Sequence, residues 1–453
     1  MTLIKSLLLG SAATFAVVAA AQAADLPTKK GAPAAEYVRI CNVGGVAGFV
    51  IPGTDTCLKI TGGIEAMAGF GNLDHRYTPD GAGYLTFSEN PRKYDNSMGF
   101  DSRADVGLET RSNTAYGPLV GVIDIHWDQG FGFGIAGANW SYINEAYIQW
   151  AGVTAGIKPS FYDFIAGGET WFNIISPEHS GTGIPLFAYT ASFGGGFSAT
   201  VSLEQNSTSG GRSAIQVGPE TFSWYGAQTY LGTRAPDIVG SLDLTQSWGT
   251  AHLAGVAHNY RVEDYYGNYD TDGWGWGVLG GISFNLPMLG AGDVVKLQGA
   301  YSDRAIGYSG MTTSGWDYSQ GLNMNGNGYL YALADAVGDG FNNWSYPTTW
   351  EFAADAEFHL TPQFAIDPEI SYGNITWSNR SAFGPFWALE GDAYSWLGGA
   401  VFSYTPVTNL SFNLELVYQY THWDAPANAL AAYYYPAGSA SGFNGRVRVE
   451  RDF

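Results

Sequence analysis

The sequence predicts an all-β fold, a 16-stranded antiparallel transmembrane β-barrel. Three observations predict it. The first is the final stretch, Gly442 to Phe453. Phe443, Gly445, Val447, Val449, Arg451 and Phe453 fall on one face, and Asn444, Arg446, Arg448, Glu450 and Asp452 on the other. Successive side chains of a strand point to opposite faces, so this strand has a largely apolar side and a charged side, and it ends on an aromatic C-terminus. The second is that the alternation recurs along the chain from Leu58. The third is that the connections between alternating runs are short and long by turns.

Composition agrees. The chain has 453 residues, with 62 Gly, 15 Trp, 29 Tyr and 25 Phe, and only 13% are charged. Such usage favours strands and turns over helices, and this aromatic content argues against disorder. Mean hydropathy is near zero, as a barrel requires, because only every second residue of its strands needs to be apolar. The formal net charge of −21 argues against a nucleic-acid partner, which would need a phosphate-neutralising surface. It suits an exported surface and a channel that favours cations.

At the N-terminus, Lys5 precedes an apolar run from Leu7 to Ala21, and Ala21-Gln22-Ala23 follows. This is the layout of a secretory signal peptide over residues 1–23. A membrane anchor is disfavoured, because the run is short and Ala-rich and no positive stop-transfer cluster follows. Residues 24–57 read as a leader. Its Cys41 and Cys57 are the only cysteines. An exported chain meets an oxidising compartment, so one disulfide is expected, the alternative being two free thiols. A loop this short is worth about 3 kcal/mol in the chain-entropy model. No His neighbours the pair, so no metal is expected there.

Residues 58–453 read as the barrel. Leu58, Ile60, Ile64, Ala66 and Ala68 oppose Lys59, Thr61, Glu65 and Met67; Phe352, Ala354, Ala356 and Phe358 oppose Glu351, Asp355, Glu357 and His359. Seven short and eight long connections give sixteen strands with both ends on the short-turn side. Energetics selects the wet face. A one-residue slip would place Asp101, Arg103, Asp105, Glu109 and Arg111 in lipid, and a mid-bilayer Arg costs about 2–4 kcal/mol. Marginal stability cannot absorb that over many strands. Trp127, Trp150, Tyr404 and Tyr420, at apparent strand ends, suit interfacial girdles, and Arg451 can snorkel to the rim.

With these residues in hand, the chain resembles the alphaproteobacterial general porins over essentially its whole mature length. The resemblance rests on Ala24-Asp25-Leu26-Pro27, on Ile51-Pro52-Gly53-Thr54-Asp55-Thr56-Cys57-Leu58-Lys59-Ile60 with Cys41 upstream, and on Ser160-Phe161-Tyr162-Asp163-Phe164. Pro236-Asp237-Ile238-Val239 and the terminal Gly445 to Phe453 complete it. The resemblance implies an outer-membrane porin with an inward-folded third long loop, here residues 160–185. It implies passive diffusion of small hydrophilic solutes and ions, a homotrimer, and no enzymatic activity or cofactor. It also implies contact with outer-membrane lipid and lipopolysaccharide, and Phe453 as the signal read by the barrel assembly machinery.

That third loop carries the acids Asp163, Glu169 and Glu178, with His179 as its one potential cation. By strand parity Lys59, Arg103, Arg111 and Lys158 would face it from the wall. Acids opposite bases would set a transverse field that orients dipolar solutes and slows apolar ones. The competing reading is that these bases pair with lumen acids such as Asp101 and Asp105. The family usually has Arg where Lys158 stands, so the fixed guanidinium fork is absent here.

Other patterns carry less. Gly275-Trp276-Gly277-Val278-Leu279-Gly280 matches a dinucleotide fingerprint, but a strand continues after it instead of a helix. Asn268-Tyr269-Asp270-Thr271-Asp272-Gly273 starts like a calcium loop and lacks the later bidentate Glu, so it reads as a loop tip. Asp124, His126 and Asp128 share a strand face, and a His–Asp pair could serve acid–base chemistry; ordinary alternation in a polar lumen explains them too. Tyr- and Trp-rich long loops also permit a sugar-selective channel.

Overall fold

The structure is a computed structural model and describes residues 39–73, 76–79, 85–88, 98–132, 139–165, 183–207, 212–213, 229–263, 268–310, 334–338, 342–378, 392–424 and 437–453. The expected signal peptide, residues 1–23, lies outside them.

Sixteen strands form one closed antiparallel barrel. They are β1 Cys57–Leu73, β2 Met98–Thr114, β3 Gly117–Gly132, β4 Asn139–Trp150, β5 Val153–Lys158, β6 Ile184–Gly194, β7 Phe197–Glu204 and β8 Asp237–Gln246. There follow β9 Gly249–Glu263, β10 Asp270–Asn285, β11 Val294–Asp303, β12 Pro347–Thr361, β13 Phe364–Trp377, β14 Ala393–Val407, β15 Leu410–Trp423 and β16 Gly438–Asp452. Each pairs with its sequence neighbour. β16 then pairs with β1, from Gly442 opposite Leu73 to Asp452 opposite Gly63, so the sixteen-stranded sheet closes on itself.

The closure extends to the last residue. The Phe453 N–H donates to the Gly62 carbonyl at 2.9 Å, and the Gly62 N–H donates back at 3.1 Å. The Phe453 ring lies so close to β1 that a Cβ on Gly62 would meet it at 2.7 Å. The Asp105 carbonyl of β2 is equally close at 2.7 Å, so the small residue at 62 answers both to that backbone and to the terminal aromatic.

Parity follows the alternation. Ile60, Ile64, Phe100, Phe352, Phe412 and Val447 are exposed on the outer face, while Glu65, Asp355, Glu415 and Arg446 are buried on the inner one. Apolar side chains thus meet lipid and charges meet the lumen, the arrangement with the lower transfer cost.

Turns at one rim are short. Ala151 and Gly152 take φ of 50° and 86° between β4 and β5, and Asn409 takes 62° between β14 and β15. Pro368 does not break β13. It sits opposite Ala400 of β14, and pairing with β12 lapses between Asp355–Glu369 and Phe358–Ile366, ahead of a further register shift between His359 and Thr361. A proline that cannot donate to a ladder is tolerated at such an irregularity.

At the short-turn rim a small hairpin, Ile40–Val43 with Val46–Val50, pairs with β1 at Phe49–Leu58 and Val50–Cys57. The Cys41–Cys57 disulfide ties it down. Arg111 donates to its Gly44 carbonyl at 3.2 Å.

Candidate functional site

The third long connection leaves β5 through Ser160–Ile165, and sequence chemistry fixes each step. The Ser160 hydroxyl donates to Glu204 Oε2 at 2.6 Å, and the Phe161 N–H donates to Oε1 at 3.2 Å. The Tyr162 N–H then donates back to the Ser160 oxygen at 3.0 Å, a local serine turn of the kind that competes with regular structure. Tyr162 is fully buried against Val239, Ala254, Val256, Leu279 and Ala300 of β8–β11 and Tyr308 of the sixth connection. Phe164 stacks on His252 at 5.6 Å. Ile165 packs on Ala353, Leu397 and Val417, and its N–H donates to Gln298 at 2.9 Å. Gln298 in turn donates to Glu351 at 2.9 Å.

Two inward glycines of β10 make room. A Cβ on Gly281 would lie 2.2 Å from the Phe164 ring, and one on Gly277 would lie 3.1 Å from the Tyr162 hydroxyl. The glycine-rich stretch that mimicked a nucleotide fingerprint is thus a strand whose small inner face receives loop aromatics.

The fourth and sixth connections meet the same wall. Arg212 pairs with Asp163 and lies over the rings of Tyr308 at 5.0 Å and Tyr162 at 6.0 Å. Asp237 is a hub: Tyr308 Oη and His258 Nδ1 each sit 2.7 Å from its Oδ2, and the Asn259 N–H donates to Oδ1 at 3.0 Å. The other ring nitrogen of His258 is 3.2 Å from Asp335 Oδ2, and Asp335 Oδ1 accepts the Ile306 N–H at 3.0 Å. Two carboxylates accept from one imidazole only when both ring nitrogens carry protons. Burial raises the Tyr162 phenol above its ordinary value, with the Arg212 charge opposing. Burial also raises the Tyr308 phenol, and the Asp237 carboxylate adds to the effect. Burial works against the Arg212 charge, but Asp163 outweighs it and holds the guanidinium above its usual range.

The sequence-derived residues fall in several places. Asp163 is paired with Arg212; Glu169, Glu178 and His179 lie outside the described residues. Arg103 pairs with Asp128 at 2.5 Å, opposite Glu65 in the ladder. Arg111 pairs with Glu109 at 2.5 Å, and Lys158 lies over the Tyr147 ring at 4.6 Å. Lys59 is exposed, in register with Glu109. Arg103 and Arg111 are eight residues apart on β2, about 27 Å at strand rise, so these bases do not share one level of the barrel. Arg111 and Lys59 belong to the short-turn mouth. Sequence reasoning missed Arg212, His258, Tyr308, Asp335 and the hub role of Asp237. Asp163 and Asp237 stood in stretches that carried the family resemblance, but nothing local named their partners. Arg446 and Arg448, which parity places on the charged face of the last strand, lie on the inner wall, Arg446 buried and Arg448 paired with Glu450 at 3.4 Å.

The Asp124–His126 pair forms at 3.0 Å, with Tyr142 Oη 3.1 Å from the other ring nitrogen and Asn144 donating to Asp124 at 2.9 Å. It is a wall network of adjacent strands. Asp270 to Gly273 open β10 instead of forming a loop tip, and Asp272 pairs with Arg234 at 2.8 Å.

Comparison with known proteins agrees with this architecture. The family described as Porin subfamily matches residues 25–444. Porin Omp2b of Brucella neotomae is 30% identical over 403 residues, covering 85% of this chain and 97% of that protein; its counterpart in Brucella abortus is 29% identical over the same length. Among solved structures, the outer membrane channel DcaP of Acinetobacter baumannii superposes with a TM-score of 0.56 at 14% identity, over 90% of this chain and all of that one; it supports the barrel fold alone. The closed barrel, its charged lumen and the match over nearly the whole length show that the chain belongs to the porin family and is a channel-forming protein of the outer membrane.

Proposed function

We propose that small hydrophilic solutes and ions cross this barrel by passive diffusion through a lumen that the third long loop narrows, in a homotrimer. The observation that carries the reading is the root of that loop: Tyr162 and Ile165 rest on inward residues of β8–β11 and of β12, β14 and β15. Such contacts at the root support a path of the loop across the interior. Glu169 and Glu178 would supply the negative lip, with the Asp163 charge compensated by Arg212. Arg103 and Lys158 would face it, and Lys59 and Arg111 would line the inner vestibule. Phe453 would carry the assembly signal.

The test is a planar-bilayer recording under a salt gradient. Wild type should open in stable steps, close in three levels at high voltage and reverse on the cation-selective side. E169Q/E178Q should lower the cation preference. An unchanged reversal potential removes the acidic lip, and a single closing level removes the trimer.

A further inference from the structure

Arg212 belongs to the fourth long connection, between β7 and β8, yet its side chain is spent on two other loops. It pairs with Asp163 of the third loop, the two side chains being 10% and 7% exposed. Its guanidinium lies over Tyr308 of the sixth connection and Tyr162 of the third. Its backbone is held as closely: a Cβ on Gly307 would meet the Arg212 carbonyl oxygen at 2.4 Å. Among the described residues no other cation pairs with Asp163. A planar, permanently charged group can stack on rings and still reach a carboxylate, which a lysine ammonium cannot do in one pose. The surrounding charge explains why a cation is held there. Glu204 carries the turn at Ser160, and Asp237 accepts from Tyr308. Without Arg212 the pocket would hold Asp163 beside two further carboxylates.

We propose that Arg212 is a positioning residue that sets the ion selectivity of this channel. It pins the root of the third loop to the sixth connection and cancels the Asp163 charge at the entrance to the narrowed lumen. The proposal rests on the reading that the third loop narrows the lumen. It assigns control of that site to a residue of another loop.

The same salt-gradient recording tests it with four variants. R212Q should shift the reversal potential further to the cation side, because Asp163 regains its field, and should make the open current unsteady, because the root is unpinned. R212K should restore the reversal potential but not the steadiness, since it supplies the charge without the fork. D163N should shift toward anions. D163N/R212M, which buries no charge, should return the reversal potential to the wild-type value. A purely structural role would lower heat stability in R212Q and D163N and leave both reversal potentials at wild type, and that result overturns the proposal. If R212Q does not assemble, D163N decides alone: a shift toward anions supports the proposal and no shift overturns it. A shift in E169Q/E178Q with none in D163N rejects the Arg212 role and keeps the lip. No shift in any variant rejects the narrowing loop itself.

Discussion

Two sides of the lumen hold their charges differently. On the wall made by β16, β1, β2 and β3, four ion pairs among the described residues join positions of one strand or of two adjacent strands. Arg103 meets Asp128, Arg111 meets Glu109, Arg448 meets Glu450 and His126 meets Asp124. The Arg103 and Asp128 side chains keep 25% and 14% of their exposure. On the wall from β7 to β12 adjacent-strand pairs such as His258–Asp237 and Lys296–Asp355 are present too, and partners from far along the chain are added to them. Tyr308 reaches Asp237 across 71 residues, His258 reaches Asp335 across 77, and Ile165 reaches Gln298 across 133. There His258 and Asp237 are fully buried. The pairs of the first side keep some water contact and are satisfied within neighbouring strands. The second is a protein interior built by loop roots in place of water, where an unpaired polar group is costly.

The sharpest way to break this contrast is at the hub. Asp237→Ala removes one acceptor from Tyr308, His258 and the Asn259 backbone at once. Stripping one partner from a buried pair typically costs about 3–5 kcal/mol. The temperature at which the folded, SDS-resistant band disappears should therefore fall steeply. A shift no larger than that of a rim variant would mean that water reaches this wall after all. Next in size is the hairpin at the short-turn rim. Cys41→Ser with Cys57→Ser opens a loop whose closure is worth about 3 kcal/mol in the chain-entropy model. The loss should be confined to the hairpin, because closure of β1 onto β16 begins at Gly62 and runs on from there to Leu73, beyond the cysteine at 57. Protease should cut near residue 50 in the variant while the barrel band keeps its melting temperature.

The same contrast explains what the sequence could disclose. Strand parity needs only a residue and its neighbours two positions away, so the lumen faces of β1, β2, β12 and β16 were legible, as were the Ala151–Gly152 turn and the cysteine pair. Pairing on the water-lined wall was half legible, because Asp101 and Asp105 were weighed as partners for bases there and Asp128 and Glu109 take that place. The loop-built wall was not legible. Nothing in the stretch around Arg212 distinguishes it from a solvated loop base, and its meaning comes from Asp163, 49 residues earlier. The glycines read correctly as part of a strand, but their purpose was hidden for a related reason. Gly277 and Gly281 are small because Tyr162 and Phe164 arrive from another element, and only the assembled barrel shows that approach.

A weaker test falls on the water-lined side. Arg103→Gln removes a pair that is only partly sealed from solvent, so stability should fall by less than in Asp237→Ala. The current should respond more than the fold does. Losing one positive charge from the wall should move the reversal potential toward cations, while the SDS-resistant band melts near the wild-type temperature. A collapse of the barrel instead would place Arg103 in an interior like that around Asp237.

The smallest effect belongs outside the lumen. Arg234 and Asp272 pair at 2.8 Å with side chains 68% and 50% exposed. Exposed pairs gain little Coulomb energy, lose side-chain freedom and are screened by salt. Asp272→Asn should therefore move the melting temperature within the scatter of repeated measurements, corresponding to about 0.5 kcal/mol or less, at low and high salt alike. The distance is nearly that of the buried His258–Asp237 contact, at 2.7 Å. If separation decided the energy, the two substitutions would cost the same. If burial decides it, as the two walls argue, Asp237→Ala and Asp272→Asn will stand at opposite ends of one series, and a large loss from Asp272→Asn would undo that ordering.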